Sequence, residues 1–363
     1  MTDRPTLCER CARRLGIEDY IIGDCQICNN ALDRDALIDS ISPDFEYETF
    51  NVGMVMPPSA SRNEAELVKE LGLSNVRSYK TEFNKELRER ISNRLGKSAD
   101  LDSPDVIFEI DFVKDRVFYR IKSLTIYGRY SKMSREIPQT KWHCKSCRGR
   151  GCKKCGFTGK MYPTSVEEII AKPLLEATRG RESRFHGAGR EDIDVRMLGR
   201  GRPFVIEIIY PKAREPDLRQ IEAEINEDER VKVSDLEPCD KSMVEYLKNT
   251  KFKKTYMAYL DKKLEIEEIS LLEEKLASEI EQRTPIRVFH RRSDKIRKRK
   301  VYKVIGKNNK TTELEIYCDG GLYIKELISG DEGRTIPSAT SLLNKELTCM
   351  KLDVMEIHYD HSR

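Results

Sequence analysis

Eight of the eleven cysteines in this chain fall in four C-x-x-C pairs, and the pairs group into two tetrads. Cys8, Cys11, Cys25 and Cys28 form C-x2-C-x13-C-x2-C; Cys144, Cys147, Cys152 and Cys155 form C-x2-C-x4-C-x2-C within CKSCRGRGCKKCGFTGK. Two thiolates in one tight turn reach the same ion, and a spacer that folds back completes a tetrahedron. The longer spacer allows this easily. In the shorter one, Gly149 and Gly151 let the backbone turn tightly enough. Structural zinc is therefore predicted at the first tetrad, and a second ion at the second. Chance pairs of buried cysteines are the alternative for the first block, and a redox dithiol for the second; no βαβ pattern surrounds either. At 363 residues the chain can bury two cores without disulfide staples. Cysteines used this way point to a reducing, cytoplasmic setting. Cys239, Cys318 and Cys349 are isolated and are expected to pack in the core.

No apolar run approaches the roughly 20 residues that span a bilayer, and the opening MTDRPTLCERCARR has no apolar stretch of a secretory leader. No membrane partner is expected. The net charge of +4 says little, but its distribution says more. Between Arg291 and Lys303 there are eight basic residues and one acid, Asp294. Clustering of this kind is the usual footprint of a phosphate backbone. A solvated basic hairpin is the plain alternative.

Phe45–Met56 is rich in aromatic and β-branched residues and ends at Pro57-Pro58, which predicts a strand. Apolar spacing predicts helices over 63–71 and 82–95. Val106–Phe112 and Val117–Tyr127 predict two strands, joined as a hairpin about Lys114-Asp115. Ser165, with Glu168 three positions on, is a capping box for a helix over 166–177, which Pro173 should kink or interrupt. Strands are then predicted at 203–210, 254–260, 286–290, 301–305, 314–318 and 352–358, and helices at 215–226 and 266–282. The chain divides into residues 1–30, an α/β region over 31–140, the second cysteine knuckle over 141–160, and an α+β domain over 161–363 with a mixed or antiparallel sheet.

From Phe185 to Ile208 the sequence reads FHGAGREDIDVRMLGRGRPFVIEI. It contains no dinucleotide or phosphate-loop motif, and no organic cofactor is expected. Arginines and carboxylates alternate instead, as they also would in an ion-paired surface loop. Gly189-Arg190-Glu191-Asp192 resembles the G-R-x-D loop of pseudouridine synthases, whose aspartate attacks the target nucleoside. The longer string GREDIDVRMLGRGRPF is similar to the tRNA pseudouridine synthases of archaea and eukaryotes that act on the T-loop. Lys254-Thr255-Tyr256 resembles that family's tyrosine motif, and RVFHRR from Arg287 to Arg292 its basic motif. GLYIKE from Gly321 to Glu326, continuing as GDEGRT from Gly330 to Thr335, resembles its third. Residues 1–30 and 31–140 resemble its zinc-bearing segment and THUMP-like RNA-binding region.

The resemblance implies a pseudouridine synthase domain over 161–363, with tRNA as partner through its T-loop or T-arm at positions 54 and 55. It implies Asp192 as nucleophile and Lys325 as the cation beside it, with Arg190 assisting. Tyr256 would stack on the target base and serve as general base, and Tyr323 would contact substrate. The uridine must be flipped out of its stack. Arg291, Arg292, Arg297, Lys298 and Lys300 would hold the RNA backbone. The two domains would form a cleft. A carboxylate nucleophile suits the chemistry independently, because it divides one difficult rearrangement into easier steps. Methyltransferases and thiouridine synthases also carry THUMP-like regions, but no cofactor or ATP loop follows residue 165. A non-catalytic RNA-binding protein or zinc-bearing chaperone is the remaining alternative. No obligate protein partner is evident.

Overall fold

A computed structural model describes residues 4–74 and 76–359; the side chains of His290 and Arg291 lie outside the described residues. The chain folds as two compact units. One comprises residues up to Ser123 together with Ile209–Arg214, and the other comprises Leu124–Ile208 and the chain from Glu215.

The first unit holds a four-stranded sheet in the order Ser98–Ala99, Thr49–Val55, Val106–Asp111, Arg116–Ile121. The first three strands are parallel, and the last returns antiparallel with Asp111 opposite Arg116, the hairpin expected about Lys114-Asp115. Helix Tyr79–Leu95 buries Tyr79, Phe83, Leu87 and Ile91, a stripe at four-residue spacing. Ser78 caps its start and Gly96, at φ +64°, ends it. Phe108 stacks on Phe50 at 5.4 Å and meets the edges of Tyr47 and Tyr119. Cys8, Cys11, Cys25 and Cys28 belong to the same buried cluster.

Among the described residues, the second unit is built on a ten-stranded mixed sheet. Its order is Val231–Pro238, Leu124–Lys132, Arg196–Ile209, Cys349–Ile357, Lys254–Leu260, Thr312–Cys318, Ile296–Asn308, Glu279–Arg283, Thr335–Ile336, with Glu182–Gly187 pairing on Arg196–Ile209. One pairing is parallel, Cys349–Ile357 with Arg196–Ile209; the other pairings recorded along that order are antiparallel. The α+β class with a mixed sheet is thus borne out. No described helix is long and apolar enough to cross a membrane.

Several elements differ from expectation. Residues 286–290 are not a strand. Ile286–Arg291 is a 3-10 turn opened by Pro285 at φ −60°, with the Val288 N–H on the Pro285 carbonyl and the Val288 side chain buried. The helix from Ile266 stops at Leu276 rather than Gln282. Glu279–Arg283 alternates exposed and buried residues and finds ladder partners on both sides, so pairing overrides helical spacing. Helix Val166–Thr178 continues through Pro173, whose ring is buried beside Ile170 and Leu174. The segment 117–127 divides, with Arg116–Ile121 completing the first unit's hairpin and Leu124–Lys132 entering the large sheet.

Candidate active site

The GRED loop links two paired strands, Glu182–Gly187 and Arg196–Ile209. Residues 188–195 lie outside both strands, so other groups must fix the main chain, and the fold supplies them from the buried side. Arg202, 1% exposed, donates from Nε to Glu191 Oε2 at 3.0 Å and from Nη1 to the Ala188 carbonyl at 2.7 Å. The Tyr130 hydroxyl donates to Glu191 at 2.9 Å, and Gln139 Nε2 donates to that hydroxyl at 2.7 Å and to the Gly189 carbonyl at 2.9 Å. Lys132 is fully buried, and its Nζ reaches the carbonyls of Ile137, Asp192 and Ile193 at 3.1, 3.2 and 2.8 Å. Its three donors are thereby all used. Burial brings its pKa down to about 8, against the opposing pull of Glu191. Gly189 sits at φ +85°, and a Cβ there would stand 3.1 Å from both Arg202 Nη1 and Lys254 Nζ, so a side chain at this position would be strained and crowded.

Held this way, the loop lines a cavity of about 720 Å³ together with Trp142, Tyr256, Arg287, Tyr323 and Lys325, all from the second unit. Asp192 Oδ2 accepts from Arg287 Nη1 at 2.8 Å. Arg287 Nε in turn donates to the buried Glu326 at 2.5 Å, so the basic motif and the third motif meet at the GRED loop. Beside them, Lys325 Nζ pairs with Asp194 at 2.7 Å. Lys254 and Tyr256 alternate along one strand and therefore share a face. Burial, with Arg202 nearby, pushes Lys254 down to about 7, and burial raises the Tyr256 phenol well above its ordinary range. The Tyr323 hydroxyl accepts from Arg292 at 2.8 Å, and the guanidiniums of Arg287 and Arg292 lie 5.8 and 5.9 Å from its ring centre. Arg299 also lines the cavity, and its buried Nε has no hydrogen-bond partner among the described residues.

The cysteines form two groups whose sulfurs all lie within 4.8 Å of one another, and none is in a disulfide. Sulfur separations are 3.6 and 3.8 Å in the first group and 3.8 to 3.9 Å in the second. Four thiolates at about 2.3 Å from a tetrahedral ion would stand about 3.8 Å apart, so both groups fit a metal ion. In the second, the N–H groups of Gly151 and Gly159 point at Cys147 and Cys155 sulfurs at 3.2 Å. Against the cost of burial, backbone donors from Cys152 and Gly159 bring Cys155 down to about 6, which suits a thiolate ligand.

Two family models match this chain: Pus10, C-terminal, over residues 125–358, and Pus10 THUMP domain, archaeal, over residues 34–111. The chain belongs to the Pus10 family. Relatives named tRNA pseudouridine synthase Pus10 include that of Methanocaldococcus jannaschii, 50% identical over 87% of this chain and 70% of its own length. That of Methanothrix thermoacetophila is 41% identical over 96% and 80%, and that of Archaeoglobus fulgidus 39% identical over 97% and 99%. The family resemblance carried by the GRED loop and its companion motifs is thereby borne out.

Within this Pus10 chain, the structure brings Asp192, Tyr256, Tyr323 and Lys325 to one cavity but distributes the cations differently from expectation. Arg287, not Lys325, pairs with Asp192. Arg190 lies over the Trp142 ring. Tyr256 lines the same cavity, with its phenol raised by burial. Arg297 is turned to the Thr284 hydroxyl at 3.0 Å, while exposed Lys298 pairs with Glu279 at 3.0 Å. Lys300 Nζ lies over the Tyr302 ring, 5.4 Å from its centre. The Arg291 side chain is outside the described residues. Sequence reasoning missed Arg287, although it stands in the quoted basic motif. It also missed Lys132 and Gln139, whose contacts to the GRED loop span 50 residues or more.

Lys132→Met should leave the carbonyls of Ile137, Asp192 and Ile193 without their donor. The expected result is a loss of about 1–3 kcal/mol in stability and faster hydrogen exchange confined to peptides covering residues 188–195; unchanged exchange there would remove Lys132 from its positioning role. Lys254 carries a pH dependence. Its folded pKa of about 7 lies below the unfolded value of 10.5. Below pH 7 the charged form is buried at full cost. Between pH 7 and 10.5 the folded protein sheds that proton while the unfolded chain keeps it, so stability rises with pH. Lys254→Met should therefore stabilise the protein more at pH 6 than at pH 9, measured as urea midpoints at the two values.

Proposed function

We propose that this chain is a tRNA pseudouridine synthase that isomerises uridine in the T-loop, at position 54, 55 or both, with Asp192 as nucleophile. The observation that carries this reading is the Asp192–Arg287–Glu326 chain of ion pairs in a cavity formed by the family's motifs. The reaction breaks the bond from uracil N1 to ribose C1′ and forms one from C5 to C1′. The proton on C5 is lost and N1 gains one, so atoms and electrons balance without a co-reactant. A carboxylate held at 2.8 Å by a guanidinium is oriented before substrate arrives. The flipped uridine stacks on Tyr256. Tyr323, bracketed by Arg287 and Arg292, contacts the same nucleotide.

Arg292 and Arg299 at the cavity, with Arg291, Lys298 and Lys300 on the adjoining basic run, grip phosphates of the T-arm, while the THUMP region binds the tRNA away from its target. Both cysteine tetrads hold zinc. All ligands are thiolates, so the sites are closed, and zinc there stabilises the fold without supplying an activated water. The enzyme works in the cytoplasm, where such thiolates stay reduced.

Asp192→Asn keeps the side-chain shape and removes the charge. It should lower pseudouridine formation on transcript tRNA by several orders of magnitude while tRNA affinity stays within a few-fold. Asp194→Asn should be far milder; near-normal product from the Asp192 variant would sink the assignment. Metal analysis should find two zinc ions per chain. Cys8→Ser with Cys11→Ser should lose one ion and weaken tRNA binding, and should leave the reaction on a short T-loop fragment intact.

A further inference from the structure

Trp142 is the only tryptophan in the chain. It is half-buried and forms part of the wall of the cavity that holds Asp192. The Tyr162 ring meets it edge-on, with centroids 5.7 Å apart and planes at 81°. The guanidinium of Arg190 lies over its ring, 5.1 Å from the centre. The backbone around it is clamped. The Trp142 carbonyl accepts from the Met161 N–H at 2.9 Å, His143 bridges to Lys160, and the Cys144 N–H donates to the Gly159 carbonyl at 2.7 Å. Lys141 N–H donates to Glu167 at 3.1 Å and Lys160 pairs with Glu168 at 2.5 Å, which ties both arms of the knuckle to the start of helix Val166–Thr178. The second cysteine tetrad closes the knuckle two residues beyond Trp142.

We propose that Trp142 is a stacking platform for an RNA base next to the flipped uridine, and that the Cys144–Cys155 knuckle exists to present it. The proposal rests on the RNA substrate proposed above. Three observations lead to it. An indole left at a cavity wall rather than in the core offers a large flat face that any nucleobase can cover. Arg190 reaches that ring from a position two residues before Asp192, and Trp142 and Asp192 line one cavity, so a base on Trp142 would share that cavity with a nucleoside at Asp192. And the planar guanidinium over the ring occupies the place a base would take, since both stack on indole. On binding, the base covers the ring and Arg190 moves to the phosphate of the same nucleotide, a bidentate partner for it.

The single tryptophan makes the test direct. Unmodified tRNA transcript is titrated into full-length protein carrying Asp192→Asn, which prevents turnover, and tryptophan emission is followed alongside the anisotropy of end-labelled RNA. Emission should change along the same curve as binding. In otherwise unaltered protein, Trp142→Ala should weaken tRNA affinity and raise KM by roughly tenfold or more, the scale of one base–aromatic stack, with kcat within a few-fold. Trp142→Phe, which keeps a stacking face and the fold, should recover most of the loss. Saturating tRNA binding without a change in emission, or a Trp142→Phe protein as impaired as Trp142→Ala, overturns the platform. Pseudouridine formation by the unaltered protein is scored separately. Its absence, with emission still tracking RNA binding, would overturn the isomerase reading and leave the platform standing, whereas product without an emission change would do the reverse.

Discussion

The active-site architecture depends on a buried ion pair, Arg202 with Glu191. Both side chains are essentially inaccessible, 1% and 0% exposed. Such a pair offsets its own desolvation only when every remaining donor and acceptor is satisfied. Here the surplus hydrogen-bonding capacity goes to the GRED loop and its supports. Arg202 reaches the Ala188 carbonyl, Glu191 takes the Tyr130 hydroxyl, and that hydroxyl takes Gln139, which also holds the Gly189 carbonyl. Removing either charge would strand the other in the interior, at a cost of about 3–5 kcal/mol. The loop would lose its supports in the same event. The two acidic residues of GRED thus divide their work by depth. Glu191 faces inward and fixes the backbone, which leaves its neighbour Asp192 turned to the cavity.

Much of this was legible in sequence because it is local. The GRED string, the tyrosine motif, the basic motif and GLYIKE each lie within a few residues, and all four meet at one cavity. The cysteine spacings likewise gave both tetrads, since a C-x-x-C turn fixes its own geometry. What the sequence hid is relational. Lys132 lies 60 residues from the Asp192 carbonyl it binds, and Arg287 lies 95 from the carboxylate it pairs with. The family resemblance nominated Lys325 for that pairing, but Arg287, in the turn that follows Pro285, takes it instead. Residues 279–283 were misjudged for a related reason. Their charged, helix-like composition is overridden by ladder partners that only the tertiary fold supplies.

The choice of arginine at Asp192 follows from the physical character of the cavity. Burial lowers two lysines near this loop, Lys254 to about 7 and Lys132 to about 8. Burial of a lysine beside Asp192 would favour its neutral form in the same way. A guanidinium does not deprotonate in proteins, and its planar fork can serve two carboxylates at once. Arg287 uses it in that way, with Nη1 on Asp192 and Nε on Glu326. Glu326 is buried at 4% exposure and fixed on helix Ile324–Ser329, so the guanidinium is held from one side while its other edge meets Asp192. Lys325, one residue away on the same helix, pairs instead with the more exposed Asp194. Adjacent residues on one short helix therefore serve two carboxylates of one loop. The cation paired with Asp192 is the one whose charge survives desolvation.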